Sequence, residues 1–433
     1  AGTEDGSEQW GYVEVRPQAH LFWWLYKSPH RVEDPSKPWP VILWLQGGPG
    51  ASGVGLGNFL EIGPLDGNLK PRNSTWLKKA DLLFVDSPVG TGYSYVDDVH
   101  NSSLTVKTDE EAAIDVTTLL KEVFNGNESL QQSPLYVVAE SYGGKFAVTV
   151  GLSVLKAIEA GELKLKLGGV ALGDSWISSE DFVLSWGPLL KAVSRIDNSG
   201  LRDSNSLTQI IKQQLKYGQY EEATQSWYEL EGVISSSSNN VDFYNIMLDE
   251  NNDPIEGTTN EASKQISTMR YSKYLDSPSL RSTKDGLSTL MNGVILEKLQ
   301  IIPTGVKWGG QQGIVFPAMA GEFMKPRIEE VDELLAKGIN VTIYNGQLDL
   351  ICSTAGAEAW VEKLKWEGLD KFLISDRTPL YCGGDYSVTK SFMKSYKNLY
   401  MYWILGAGHF VPVDQPCVSL EMIGSITQSP NTS

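Results

Sequence analysis

The stretch Val137-Val138-Ala139-Glu140-Ser141-Tyr142-Gly143-Gly144 constrains the fold more than any other part of the chain. An apolar run from Leu135 to Ala139 stops abruptly at a serine, and two glycines follow. Phe146, Val150, Val154, Leu155 and Ile158 then recur at helical spacing, with Gly161 as the stop. This pattern predicts a strand that turns sharply into a helix with Ser141 at the corner. A serine at such a corner presents its hydroxyl for attack, and the expected motif is G-x-S-x-G. Here it reads Ala139-x-Ser141-x-Gly143, and both flanks are still small enough for strand and helix to approach. An ordinary strand–helix junction has the same local pattern, so the context must decide between them.

The context is a chain of strands alternating with helices. Tyr12 to Leu25 reads as strands, Val41 to Leu45 and Leu82 to Val85 as short buried strands, and Leu167 to Leu172 as the strand after the serine helix. Thr108-Asp109-Glu110-Glu111 is a capping box that opens a helix carrying Ala112, Val116, Leu119, Leu120 and Val123. This alternation predicts a mostly parallel sheet covered on both faces. From about Trp186 the rhythm becomes helical, over Leu207 to Tyr217 and Ala223 to Ile234, with the serine run 235–238 as an interruption. Asp249 to Gly286 is polar and reads as a mobile surface segment open to proteolytic nicking. The core rhythm returns at Phe323, with a helix after Pro326 stopped by Gly338. A strand at Val341 to Tyr344, a helix at Trp360 to Trp366 and a strand at Leu399 to Leu405 follow. The expected organisation is a core in two parts, 1–185 and 306–433, with a mainly helical cap, 186–305, inserted between them.

Composition excludes several classes. A net charge of −17 over 433 residues argues against a nucleic-acid partner. No apolar run reaches the roughly 18 residues of a membrane span. The polar start Ala1-Gly2-Thr3-Glu4-Asp5-Gly6 suits a processed secretory protein or a cytosolic one equally. Cys352, Cys382 and Cys417 are too few for a disulfide framework and match no metal spacing, so no metal and no cofactor are expected. N-x-S/T triplets at Asn73, Asn101, Asn127, Asn340 and Asn431 point to the secretory pathway and to glycosylation.

A serine nucleophile needs a base, and the base needs a carboxylate. There are four histidines. His20 and His30 lie well upstream, and His100 adjoins a glycosylation triplet. His409 follows a buried strand in Gly406-Ala407-Gly408-His409. The order Ser…Asp/Glu…His then puts the acid between the serine and His409. Asp349, after the strand Val341 to Tyr344, is the first choice, and Asp174, after the strand Leu167 to Leu172, is its rival. Oxyanion donors are expected from the Tyr142 N–H and from the glycine-rich loop Gln46-Gly47-Gly48-Pro49-Gly50, with Gly48 as the candidate. A phosphate loop would need Gly-Lys-Ser/Thr, which is missing. Glu140 is the unusual residue. An ionised carboxylate beside the nucleophile would repel a substrate carboxylate, whereas a protonated one donates to it, with Gln46 as a second donor. The implied substrate is a peptide with a free C-terminal carboxylate.

These motifs resemble the serine carboxypeptidase family. The resemblance rests on Trp44-Leu45-Gln46-Gly47-Gly48-Pro49-Gly50, Ala139-Glu140-Ser141-Tyr142-Gly143-Gly144, Asn345-Gly346-Gln347-Leu348-Asp349 and Gly406-Ala407-Gly408-His409-Phe410-Val411-Pro412, in order along nearly the whole chain. Gly173-Asp174-Ser175-Trp176-Ile177-Ser178, Leu290-Met291-Asn292-Gly293 and Tyr402-Trp403-Ile404-Leu405 point within it to the retinoid-inducible and plant serine carboxypeptidase-like branch. The resemblance implies an α/β-hydrolase fold, a secreted or vacuolar–lysosomal location and release of C-terminal residues at acidic pH. Gln46, Gly47 and Glu140 would then be the carboxylate-binding positions. Acyl transfer from glucose esters on the same residues, and a non-catalytic binding role, are the alternatives. The chain departs from the family where it has Gln46 for the usual asparagine and Ala51 for the usual cysteine. Cys352 matches a position where some members carry a thiol near the pocket, and the pairing of Cys382 with Cys417 is open.

Overall fold

Within Val41–Leu45, Val41, Leu43 and Leu45 enter one apolar core while Ile42 and Trp44 enter another. Leu135, Val137 and Ala139 divide from Tyr136 and Val138 in the same way. This two-residue alternation places a sheet between two cores, so its strands are apolar throughout rather than alternating with polar residues. A computed structural model describes residues 1–250 and 284–430.

The strands are β1 (Glu8–Arg16), β2 (Ala19–Tyr26), β3 (Val41–Leu45), β4 (Asp81–Val85), β5 (Tyr95–Val96), β6 (Pro134–Glu140), β7 (Lys166–Gly173), β8 (Asn340–Gly346), β9 (Thr378–Leu380), β10 (Ser391–Tyr396) and β11 (Leu399–Ile404). They form one sheet in the order β1-β2-β4-β3-β6-β7-β8-β11-β10-β9, with β5 on β2. The central block β4-β3-β6-β7-β8-β11 is parallel. Both flanks are antiparallel hairpins. The α/β-hydrolase fold expected from the sequence is what forms. Because β6, β7, β8 and β11 run parallel as neighbours, the loops after Glu140, Gly173, Gly346 and Ile404 meet at one sheet edge, where sites in open α/β sheets collect.

The helix Asp109–Asn125 starts as its capping box requires. The Thr108 side chain accepts from Glu111 N–H, and Glu111 Oε2 accepts in return from Lys107 N–H. Two helix expectations change, and two further expectations meet the structure differently. The serine run does not interrupt its helix, which spans Tyr220–Ser238: the Ser238 hydroxyl donates to Ile234 O, and the turn breaks at Asn239, φ 55°. The helix expected over Trp360 to Trp366 is instead Thr354–Val361, opened by a Ser353 cap. The boundary drawn at Trp186 falls inside the helix Ser179–Ala192. The polar segment from Asp249 lies, over 251–283, outside the described residues. No described helix is long and apolar enough to cross a membrane.

One element has no counterpart in the sequence reading. After the glycine-rich loop, Gly53–Ile62 forms a π-helical segment whose Gly63 N–H reaches Asn58 O. A Cβ at Gly55 would fall 2.4 Å from the Trp308 ring, and one at Gly57 would fall 2.3 Å from Trp44 Nε1. The glycines let two indoles pack against the segment, and its last turn carries Glu61 into the interior.

Candidate active site

β6 delivers Ser141 at its carboxyl end with φ 61°, a left-handed backbone uncommon for a residue with a side chain. Three hydrogen bonds hold it there. Ser141 N–H donates to Gly173 O at 3.1 Å, and Ser141 O accepts from Gly144 N–H and Trp176 N–H, each at 3.0 Å. The two following glycines are steric requirements. A Cβ on Gly143 would sit 2.2 Å from Leu45 O, and one on Gly144 would sit 2.3 Å from the Ser175 side chain. The helix Gly143–Glu159 begins directly after Tyr142. The predicted strand–corner–helix is therefore present, and the helix's positive amino end lies at Ser141.

β8 and β11 bring Asp349 and His409 together. His409 N–H is fixed by Tyr244 O at 2.8 Å, and His409 Nδ1 lies 2.8 Å from Asp349 Oδ2. Both residues are fully buried. Because the carboxylate can only accept, Nδ1 carries the hydrogen and Nε2 is left as the basic nitrogen. Asp349 Oδ1 accepts from Cys352 N–H at 3.3 Å. Asp174, the rival acid, meets Asp349 instead of His409, and its Oδ1 accepts from Gly346 N–H at 2.8 Å. Burial, and after it the charge of Asp349, pushes the Asp174 carboxyl well above the ordinary carboxyl range. The other histidines stand apart: His20, for example, bonds Asp97 at 3.0 Å and stacks on Tyr95.

Gly47 packs against the corner so closely that a Cβ there would lie 2.6 Å from Ser141 Cβ and 2.8 Å from Tyr142 N. Gly48, the candidate oxyanion donor, takes φ 114°, a conformation that suits glycine. The Gln46 amide is oriented at both ends. Its Oε1 accepts from Trp44 Nε1 at 2.7 Å, and its Nε2 donates to Glu140 Oε1 at 2.8 Å. Beneath the corner, the Tyr142 hydroxyl donates to Asp109 at 2.7 Å, Arg327 Nε donates to the same carboxylate at 2.8 Å, and Lys145 Nζ lies over the Tyr142 ring at 4.7 Å. Burial pushes the Lys145 ammonium down to about 8. This buried charge network clamps the ring whose backbone N–H is the other oxyanion candidate.

A family model described as serine carboxypeptidase matches residues 1–429. The chain belongs to the serine carboxypeptidase family. It is 64% identical to serine carboxypeptidase-like 51 of Arabidopsis thaliana over 433 residues, covering 99% of this chain and 94% of that protein. It is 47% identical to the human retinoid-inducible serine carboxypeptidase over 426 residues, 98% of this chain and 92% of that one. The fold matches a solved prohormone-processing carboxypeptidase from Saccharomyces cerevisiae with a TM-score of 0.80, at 21% identity over 97% of this chain and 91% of that one.

The residue that sequence reasoning missed in this serine carboxypeptidase is Glu61. It is 1% exposed, and its carboxyl meets that of Glu140. Burial first, and then the Glu140 charge, pushes the Glu61 carboxyl well above its ordinary range. The Glu61 carboxyl faces the Glu140 carboxyl and the Gln46 side chain, and two acids in buried contact need a proton between them. A lone acid in the apolar run Phe59-Leu60-Glu61-Ile62 was the available signal. Cys382 and Cys417 form a disulfide, which closes the open question of their pairing, and Cys352, outside that disulfide, is buried beside Asp349. The donor atoms of Asp349, Cys352 and His409 lie within 4.8 Å of one another, but two of the three residues already bond each other.

Proposed function

We propose that Ser141 is the nucleophile, His409 the base and Asp349 its orienting acid in a serine-type carboxypeptidase that releases C-terminal residues from peptides at acidic pH. His409 Nε2 takes the hydroxyl proton as Ser141 Oγ attacks the last peptide carbonyl. The N–H groups of Tyr142 and Gly48 receive the oxyanion. The C–N bond then breaks, His409 returns the proton to the leaving amino group, and the acyl group stays on Ser141 as an ester. Water attacks that ester with His409 again taking a proton, and Ser141 regains its hydrogen.

The observation that carries the reading is the Glu61–Glu140 pair under the Gln46 amide, next to the corner serine. With both carboxyls protonated in acid, the pair bridges internally through one proton and donates the other to a substrate carboxylate, as does the Gln46 amide. Acyl transfer from glucose esters is not favoured, because these groups suit a carboxylate rather than an acceptor alcohol. A binding-only role leaves the hydrogen-bonded Asp349–His409 pair without a purpose. The described parts of segment 186–305 serve as the cap between core parts 1–185 and 306–433 and shape the side-chain pocket. A secretory route, ending outside the cell or in a vacuole or lysosome, fits the disulfide and the exposed Asn73 and Asn101. Those two are the best placed for glycans. Asn127 Oδ1 caps a short helix, Asn340 is partly buried in β8, and Asn431 lies outside the described residues.

The test compares a peptide with its C-terminal amide at pH ~5, near the range where paired carboxyls share a proton. The free acid is expected to be cleaved about 10- to 100-fold more efficiently, the worth of one to two hydrogen bonds to a charged group. Equal cleavage of the two overturns the terminal-carboxylate reading.

A further inference from the structure

Asp174 sits one strand away from the residue it was weighed against, and it does not contact the imidazole. Its backbone takes φ 40° directly after β7, and its N–H donates to Tyr344 O at 2.9 Å. The side chain is fully buried. Oδ1 accepts from Gly346 N–H at 2.8 Å, at the start of the loop that carries Asp349. Oδ2 has no donor within reach, yet the side chain is in hydrogen-bonding contact with Asp349. Both Asp349 oxygens already accept, from Cys352 N–H and from His409 Nδ1. Two carboxyl groups in buried contact need one proton between them. Asp349 is the charged partner that an imidazole N–H requires, which leaves Asp174 Oδ2 as the oxygen that carries the proton.

We propose that Asp174 is a positioning residue of the acid–base pair: as a neutral carboxylic acid it donates to Asp349, holds that carboxylate against His409 Nδ1, and keeps the cluster at one negative charge. This rests on the reading of Asp349 and His409 as the catalytic acid and base. Besides the His409 imidazole on Asp349, the ionisable groups around the proton are acids and a phenol. Glu140 faces Asp174 from β6, Tyr344 from β8 and Asp349 from the loop after β8, while Asp414 acts on Asp349 from the far side. Burial, followed by the Asp349 charge, pushes the Asp174 carboxyl upward. The consequence is a second reason for the enzyme to work in acid, separate from the Glu61–Glu140 pair. When Asp174 ionises, two buried charges face each other and Asp349 loses the hydrogen bond from Asp174, keeping only those from Cys352 and His409.

Two variants separate these effects. Asp174→Asn keeps shape and offers an amide N–H that does not titrate, whereas Asp174→Leu keeps volume and offers no donor. Hydrolysis of an N-acyl amino-acid ester, which has no free carboxylate, takes the glutamate pair out of the measurement. At acidic pH the Asn variant is expected within about threefold of wild type and the Leu variant about 10- to 100-fold lower, as for loss of a hydrogen bond to a charged group. The Asn variant should also hold its kcat to higher pH than wild type. A wild-type pH profile in Asp174→Asn, or equal rates in the two variants, overturns the proposal. NMR of 13C-carboxyl-labelled aspartate tests it without activity. The resonance missing from Asp174→Asn should still be protonated in wild type at pH ~6, above the ordinary aspartate range. If that resonance has ionised by then, the proposal fails even with catalysis intact. If it is protonated while no substrate is turned over, the functional reading fails and the proton assignment stands.

Discussion

Two pairs of buried carboxyls approach the same serine corner. Glu61 meets Glu140, which receives a hydrogen bond from the Gln46 amide. Asp174 meets Asp349, and there the donors are the Gly346 and Cys352 N–H groups and the His409 imidazole. Burial drives the titration of Glu61 and of Asp174 in the same direction, and the neighbouring acid adds to it. What separates the pairs is the group each one faces. The glutamate pair lies by the Gln46 amide, where the proposed terminal carboxylate would bind. The aspartate pair is closed over by an imidazole and by backbone amides from its own loop. On the proposed reading, an acid proton is directed outward to substrate in one case and inward to Asp349, the partner of His409, in the other. Chemical type does not determine the role of a buried acid here; its third neighbour does.

The comparison can be broken most severely at Ser141, the proposed nucleophile. Ser141→Ala should lower peptide and ester hydrolysis alike by three orders of magnitude or more, since triad members act as a unit. Labelling by a fluorophosphonate should vanish with it, and labelling that survives would place the nucleophile elsewhere. A smaller effect should divide the pairs. Glu61→Gln together with Glu140→Gln removes the outward proton's titration. It should lower kcat/KM for free peptides by about 10- to 100-fold, mainly through KM, and leave ester hydrolysis within about threefold. An equal loss on both substrates would mean that the glutamates support the corner rather than the substrate.

The smallest effect is on stability, and its sign follows from the shifts. Glu61, with an ordinary value of 4.5, and Asp86, raised by burial from 3.8 to about 7, both bind protons more tightly in the folded state. Their contribution is complete below the unfolded values and is lost as pH rises through the folded ones. For Asp86 that window is about pH 4 to 7, and the loss is on the order of 4 kcal/mol. Thermal unfolding should therefore show a maximum in mild acid and a decline towards neutrality. Glu61→Gln and Asp174→Asn should each flatten the slope, and the larger change marks the pair whose proton is more tightly held. A Tm that rises from pH 5 to 7 would contradict the shifts.

The parts of this site that were legible in the sequence are those made by neighbours along the chain. Val41–Leu45 and the strand into Ser141 stood out because a doubly covered strand must be apolar at every position. The capping box at Thr108 and the glycines after Tyr142 are likewise local requirements. The choice between Asp349 and Asp174 was harder, because both end strands at the same sheet edge. Only the pairing of β8 with β11 puts one of them against His409, and sheet order is a property of the whole fold. Glu61 was hidden for a related reason. Its placement depends on Trp44 and Trp308 filling the space left by Gly57 and Gly55, residues far apart in the chain. The serine run misled because helix propensity is weak beside the packing of Trp227, Leu230 and Ile234 on the same helix.

Trp44 has one more effect. An amide side chain has two ends of opposite polarity that are nearly the same size, and a free glutamine could present either end to its surroundings. The Trp44 indole can only give a hydrogen, so it takes the oxygen end of Gln46 and leaves the nitrogen end facing the acids. A ring whose bulk belongs to the apolar interior thereby fixes which way round the pocket is polarised, and it does so without touching anything that enters.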